Sequence, residues 1–142
     1  MTDKSVTFLL VEDDEVDIQA LKRAFSQMKI SNPLVIANNG LEALEYLRGE
    51  NGRDKIQQPY LILLDLNMPK MNGIEFLQTI RADTELRKSI VFILTTSNDE
   101  QDRLKAYDLN VAGYIVKADA ANSFKEAVGF LNMYWNLVEF PA

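Results

Sequence analysis

The chain has no cysteine and no histidine in 142 residues. That absence removes disulfides, thiolate and imidazole catalysis, zinc sites built on Cys or His, and haem or iron–sulfur ligation. Any metal must therefore be held by oxygen. Positive charge is also scarce: 15 Lys and Arg stand against 21 Asp and Glu, a formal charge of -6. A field of that sign repels nucleic acid and anionic lipid, so neither is expected as a partner. No apolar run approaches the roughly 18 residues that span a bilayer, and the start, Met1-Thr-Asp-Lys, lacks the basic and apolar regions of a secretory leader. A cytoplasmic location is expected. At roughly 100–200 residues per domain the length suits one domain over residues 1–142, with no room for a separate output domain.

Short apolar runs recur five times, at Thr7 to Val11, Leu34 to Ala37, Tyr60 to Leu64, Ile90 to Leu94 and Gly113 to Val116. They are continuous instead of alternating, as in strands covered on both faces. Helical spacing fills the gaps, with Ile18, Leu21, Phe25 and Met28 in the first and Phe76, Leu77 and Ile80 in the third. Leu104, Tyr107 and Val111 mark a weak apolar face in the fourth, which is therefore the helix expected to shift most easily. This alternation predicts an α/β fold with a doubly wound, five-stranded parallel sheet. Gly49 to Pro59 is polar and turn-rich and reads as a surface loop.

In such sheets ligands meet the carboxyl ends of the strands. Glu12-Asp13-Asp14 follow the first run, Asp65 the third, Thr95-Thr96-Ser97 the fourth and Lys117 the fifth. The flavodoxin-like strand order 2-1-3-4-5 would bring all four sets to one rim. Taken singly, each has an ordinary reading: a helix cap, a turn former, strand-end caps, an exposed lysine. Together they form a cluster of carboxylates that needs positive charge. Lys117 supplies one, and a hard, oxygen-ligated divalent cation, Mg²⁺ or Mn²⁺, supplies the rest. Such an ion can bridge a carboxylate to a phosphate oxygen, which points to phosphoryl transfer. Asp65 then stands where it could attack phosphorus, and Thr95 offers a hydroxyl to a phosphoryl oxygen.

The segments Leu9-Leu10-Val11-Glu12-Asp13-Asp14, Leu63-Leu64-Asp65-Leu66-Asn67-Met68-Pro69, Met71-Asn72-Gly73, Leu94-Thr95-Thr96-Ser97 and Gly113-Tyr114-Ile115-Val116-Lys117 resemble the two-component response regulator receiver domain over nearly the whole chain. The resemblance implies that a histidine kinase phosphorylates Asp65, with Glu12 and Asp13 as the acidic pair. Asp13, Asp65 and the main-chain carbonyl of Asn67 would hold Mg²⁺, and Lys117 would contact the phosphoryl group. It further implies that Thr95 and Tyr114 couple phosphorylation to movement, and that Asn67 and Ser97 tune how long the acyl phosphate lasts. Receivers usually follow the lysine with a cis proline; here Ala118 takes that place. The loop before Tyr60 and the pair Tyr134-Trp135 make the chain similar to stand-alone regulators of phytochrome-type sensor kinases. A regulator of this kind gains and slowly loses its own phosphoryl group and is not an enzyme in the turnover sense.

Three rivals have weaker support. A phosphohydrolase of the haloacid dehalogenase type needs an acid two residues after the nucleophile, where this chain has Asn67. A receiver-shaped module that is never phosphorylated would not need every polar group present. A flavin module would not place carboxylates beside a phosphate. The last helix carries Phe124, Ala127, Val128, Leu131, Trp135 and Val138 on one face, for docking to the sheet. Phe130, Met133, Tyr134 and Leu137 form a second stripe, read as a homodimer seam or a kinase-docking surface.

Overall fold

A computed structural model describes residues 6–117 and 120–141, without the side chains of residues 120–124. Ala118 and the side chain of Phe124, both singled out above, lie outside the described residues. Five strands alternate with five helices: β1 (Thr7–Val11), α1 (Glu15–Gln27), β2 (Leu34–Ala37), α2 (Gly40–Arg48), β3 (Tyr60–Leu64), α3 (Gly73–Ala82), β4 (Ile90–Thr95), α4 (Glu100–Asp108), β5 (Gly113–Val116) and α5 (Ala120–Leu137). The strands form one sheet in the order β2-β1-β3-β4-β5, and every neighbouring pair is parallel.

Successive residues of a strand face opposite sides, so each strand feeds two cores. Leu9, Val11, Ile62, Leu64, Val91 and Ile93 pack with α2 and α3 on one side. Phe8, Leu10, Leu61, Leu63, Phe92 and Leu94 pack with α1 and α5 on the other. Phe8 sits between two edge-on aromatic partners there, Phe25 at 5.2 Å and Trp135 at 4.6 Å between ring centroids. This explains the unbroken apolar runs of the central strands β1, β3 and β4, which are buried on both faces, whereas the edge strands β2 and β5 are half-buried.

Local chemistry ends the helices. Asp14, Asn39, Asn72 and Asp99 cap the starts of α1 to α4 with side-chain oxygens that accept main-chain N–H groups. Asn72 and Glu75 complete a reciprocal capping box. Gly49 ends α2 at φ 67°, a conformation a side chain would strain. The polar segment that follows is a loop whose Arg53 pairs with Glu45 at 2.9 Å.

The apolar face expected of α4 is not its buried face. Ala106 is the buried residue of this helix, whereas Leu104 and Tyr107 are about half exposed, at 51% and 49%. Val111 is buried, but it lies beyond the helix end. A small residue lets α4 lie close to the sheet, and its two large apolar side chains are left facing water.

Candidate phosphoacceptor and metal site

The carboxyl ends of β1, β3, β4 and β5 converge as the strand order requires. Glu12 continues β1, its N–H donating to the Ala37 carbonyl oxygen at 2.9 Å. Asp65 continues β3, its N–H donating to the Val11 carbonyl oxygen at 3.0 Å. The Lys117 N–H donates to the Thr95 carbonyl oxygen at 2.7 Å, which locks the end of β5 to that of β4. Behind Asp65 the chain doubles back through Asn72 to Gly73, whose N–H donates to the Leu66 carbonyl oxygen at 3.0 Å. A Cβ on Gly73 would lie 2.6 Å from the Asp65 carbonyl oxygen and 2.7 Å from the Leu66 Cα. Only glycine allows α3 to begin this close to the site.

Within the acidic run the roles divide. Asp14 is the cap, accepting from the Val16 N–H at 2.9 Å. Glu12 and Asp13 turn toward Asp65, and the three offer carboxylate oxygens within 4.8 Å of one another. Glu12 and Asp65 are buried while Asp13 is exposed. At a 4.8 Å separation each charged pair is opposed by on the order of 3 kcal/mol at an effective dielectric of about 20. Burial, and then the charge of Asp65, push the Glu12 carboxyl up to about 7. A closely set group of hard oxygens, short of positive charge and reachable through exposed Asp13, suits a divalent ion that keeps open positions.

Lys117 is buried and supplies the fixed positive charge. Its Nζ donates to Glu12 Oε1 at 2.9 Å and to Asp17 Oδ2 at 2.7 Å. Burial opposes the charge on this ammonium, but its hydrogen bond to Asp17 and the charge of, and hydrogen bond to, Glu12 outweigh it and hold the group above the ordinary lysine value. Lys117 is thus not the exposed lysine of the ordinary reading.

Thr95 is fully buried, and its Oγ1 accepts from the Ser97 N–H at 3.2 Å. The Tyr114 hydroxyl donates to the Ser97 carbonyl oxygen at 3.0 Å. Ser97 Oγ in turn donates to Asp102 Oδ2 at 2.7 Å, in the first turn of α4. Ser97 therefore links the strand-end hydroxyl, the aromatic ring and the fourth helix. Asn67 is exposed on the loop after Asp65.

The sequence reading missed Asp17, whose acidic neighbourhood looked like an ordinary helix start. The available signal was its position: Asp17 lies three residues after the cap Asp14, in the first turn of α1, and that helix begins at the same rim. On α5, Ala127, Val128, Leu131 and Trp135 are buried as expected, whereas Val138, half-buried, lies just beyond the helix end. The second stripe splits. Phe130, Met133 and Leu137 are exposed, but Tyr134 is half-buried against Phe92, at 4.8 Å, and Phe140, at 6.2 Å.

Such a sheet with an acidic rim is the frame of a doubly wound ligand-binding domain, and residues 8–129 match the model of the response regulator receiver domain; the chain belongs to that family. Receiver domains take phosphoryl groups from histidine kinases. Among its relatives, the response regulator Rcp1 of Synechocystis sp. is 34% identical over 135 residues, 94% of this chain and 92% of that protein. The crystal structure of the Mn²⁺-bound form of Rcp1 superposes with a TM-score of 0.85 at 34% identity, covering 96% of this chain and 99% of that one. The phosphorylated cyanobacterial phytochrome response regulator RcpA gives 0.86 at 35% identity, over 96% and 98%. The expected family and strand order are borne out, as is the expected similarity to phytochrome-associated response regulators.

Proposed function

We propose that Asp65 is the phosphoacceptor of a single-domain response regulator whose surface, once modified, selects protein partners. The convergence of Glu12, Asp13, Asp65 and Lys117 on one rim carries this reading. A carboxylate oxygen of Asp65 attacks phosphorus; the bond to the imidazole nitrogen of the kinase phosphohistidine breaks as the new P–O bond forms, and the imidazole recovers a proton. Asp13, Asp65 and the Asn67 carbonyl, with Glu12 beside them, would hold Mg²⁺ or Mn²⁺. When bound, that ion supplies charge neutralisation and orientation for the phosphoryl oxygens. Lys117 neutralises a further charge, and the Thr95 hydroxyl hydrogen-bonds a phosphoryl oxygen. Because Thr95 and Tyr114 meet through Ser97, a pull on Thr95 is felt by the ring and by α4. The protein's own chemistry is limited to gaining and slowly losing this group.

The donor is read as a phytochrome-type sensor kinase, supported by the similarity to RcpA over 96% of the chain. A homodimer is the proposed assembly. Phe130, Met133 and Leu137 are exposed, and Phe130 closes a groove with Tyr107, Tyr114, Ile115 and Ala127 along the open edge of β5. Tyr134 supports that seam from beneath instead of lining it. The setting is read as cytoplasmic; among the described residues no helix is long and apolar enough to cross a membrane.

Incubation with Mg²⁺ and acetyl phosphate, followed by intact mass measurement, tests the central reading. One phosphoryl adduct is expected on the wild-type chain and none on Asp65→Asn. An adduct that survives the substitution, or no adduct on either, overturns it. Sizing of the same samples reports on the dimer, which a strict monomer at high concentration in both states would remove.

A further inference from the structure

Among the described residues, the ammonium of Lys117 has carboxylate partners on two different parts of the rim. Glu12 belongs to the group of three that crowds Asp65, so a cation drawn to that group competes with Lys117 for its charge. Asp17 stands outside the group, at the first turn of α1, and makes the shorter contact, 2.7 Å against 2.9 Å. The helix that presents it is fixed by the Asp14 cap and by buried Ile18, Leu21 and Phe25. Lys117, by contrast, ends a flexible four-carbon stem, whose ammonium takes its direction from its partners. We propose that Asp17 is a positioning residue for phosphoryl transfer: it holds the Lys117 ammonium on the rim that carries Asp65 whatever the state of Glu12 and Asp13. This rests on Asp65 being the phosphoacceptor. Asp17 touches neither the donor nor the transferred group and acts through Lys117 alone.

The test is the initial rate of adduct formation with Mg²⁺ and acetyl phosphate on the full chain. D17N is expected to label about tenfold more slowly, because the charge-assisted contact that places the ammonium for the incoming phosphoryl oxygens is weakened. D17E, which keeps the anion, should recover most of that loss. In a K117Q background D17N should cause no further slowing, since the two residues act as a unit. Mn²⁺ affinity of D17N should stay within about twofold of wild type, whereas general collapse of the rim would lower it further. Labelling of D17N at the wild-type rate or faster, an equal slowing in the K117Q background, or a larger loss of Mn²⁺ affinity overturns the inference. If D17N proves unfolded by circular dichroism, D17S carries the same expectations. Failure of the wild-type chain to label at all refutes the phosphoacceptor reading instead, so the two failures are distinguishable.

Discussion

The two ends of the sheet treat charge in opposite ways. At the carboxyl end, Glu12, Asp13 and Asp65 crowd together, and one buried ammonium answers them. At the other end Arg81 donates to the carbonyl oxygens of Arg87, Ser89, Leu109 and Asn110 at 2.7–3.0 Å, and Tyr60 and Ser89 share a hydrogen bond of 2.6 Å. Arg81 is a half-buried cation with neutral partners all round, tying α3 to the connections before β4 and β5. Its end of the sheet is complete in itself. The carboxyl end is unbalanced until something positive arrives, and that imbalance is what a responsive site requires.

Substitutions at the two ends should therefore change stability with opposite sign. Arg81→Ala strands four carbonyls and is expected to cost about 2–3 kcal/mol in urea unfolding, while the surviving folded protein still labels on Asp65. Asp65→Asn relieves repulsion and should stabilise the metal-free protein by about 1–2 kcal/mol while abolishing the adduct. Destabilisation by Asp65→Asn in the absence of metal would erase the contrast.

The pH dependence sharpens it. Glu12 is raised from 4.5 to about 7, so the folded chain binds this proton more tightly than the unfolded chain. The contribution of Glu12 to metal-free stability is therefore fully present below pH 4.5 and declines as pH rises to 7. Saturating Mg²⁺ should flatten that decline, as thermal melts with and without EDTA will show. The smallest effect is expected of Tyr114→Phe. It removes one hydrogen bond to Ser97, costs about 1 kcal/mol, and leaves the initial labelling rate unchanged.

What could be read from the sequence follows the same divide. All five strands were legible from their unbroken apolar runs, and so were the polar residues that follow β1, β3, β4 and β5, because the carboxyl ends of those strands meet at one rim. Arg81 was not legible: its partners are main-chain carbonyls from two connections, and main-chain groups carry no sequence signal. Asp17 was hidden among other acids at a helix start, where such residues need no special reason. On α4, helical spacing picked out the large apolar side chains, but close packing selected Ala106. Tyr134 fell in an exposed stripe by periodicity and was drawn inward by Phe92 and Phe140, the latter beyond the helix that the periodicity describes.

Titration with Mn²⁺, followed by water proton relaxation, tests the carboxyl rim most directly. The wild-type chain should bind one ion, and Asp13→Asn and Asp65→Asn should each lose it, with Arg81→Ala unaffected. Binding that persists in both rim variants, or no binding by the wild type, would contradict the claim that these carboxylates form a cation site.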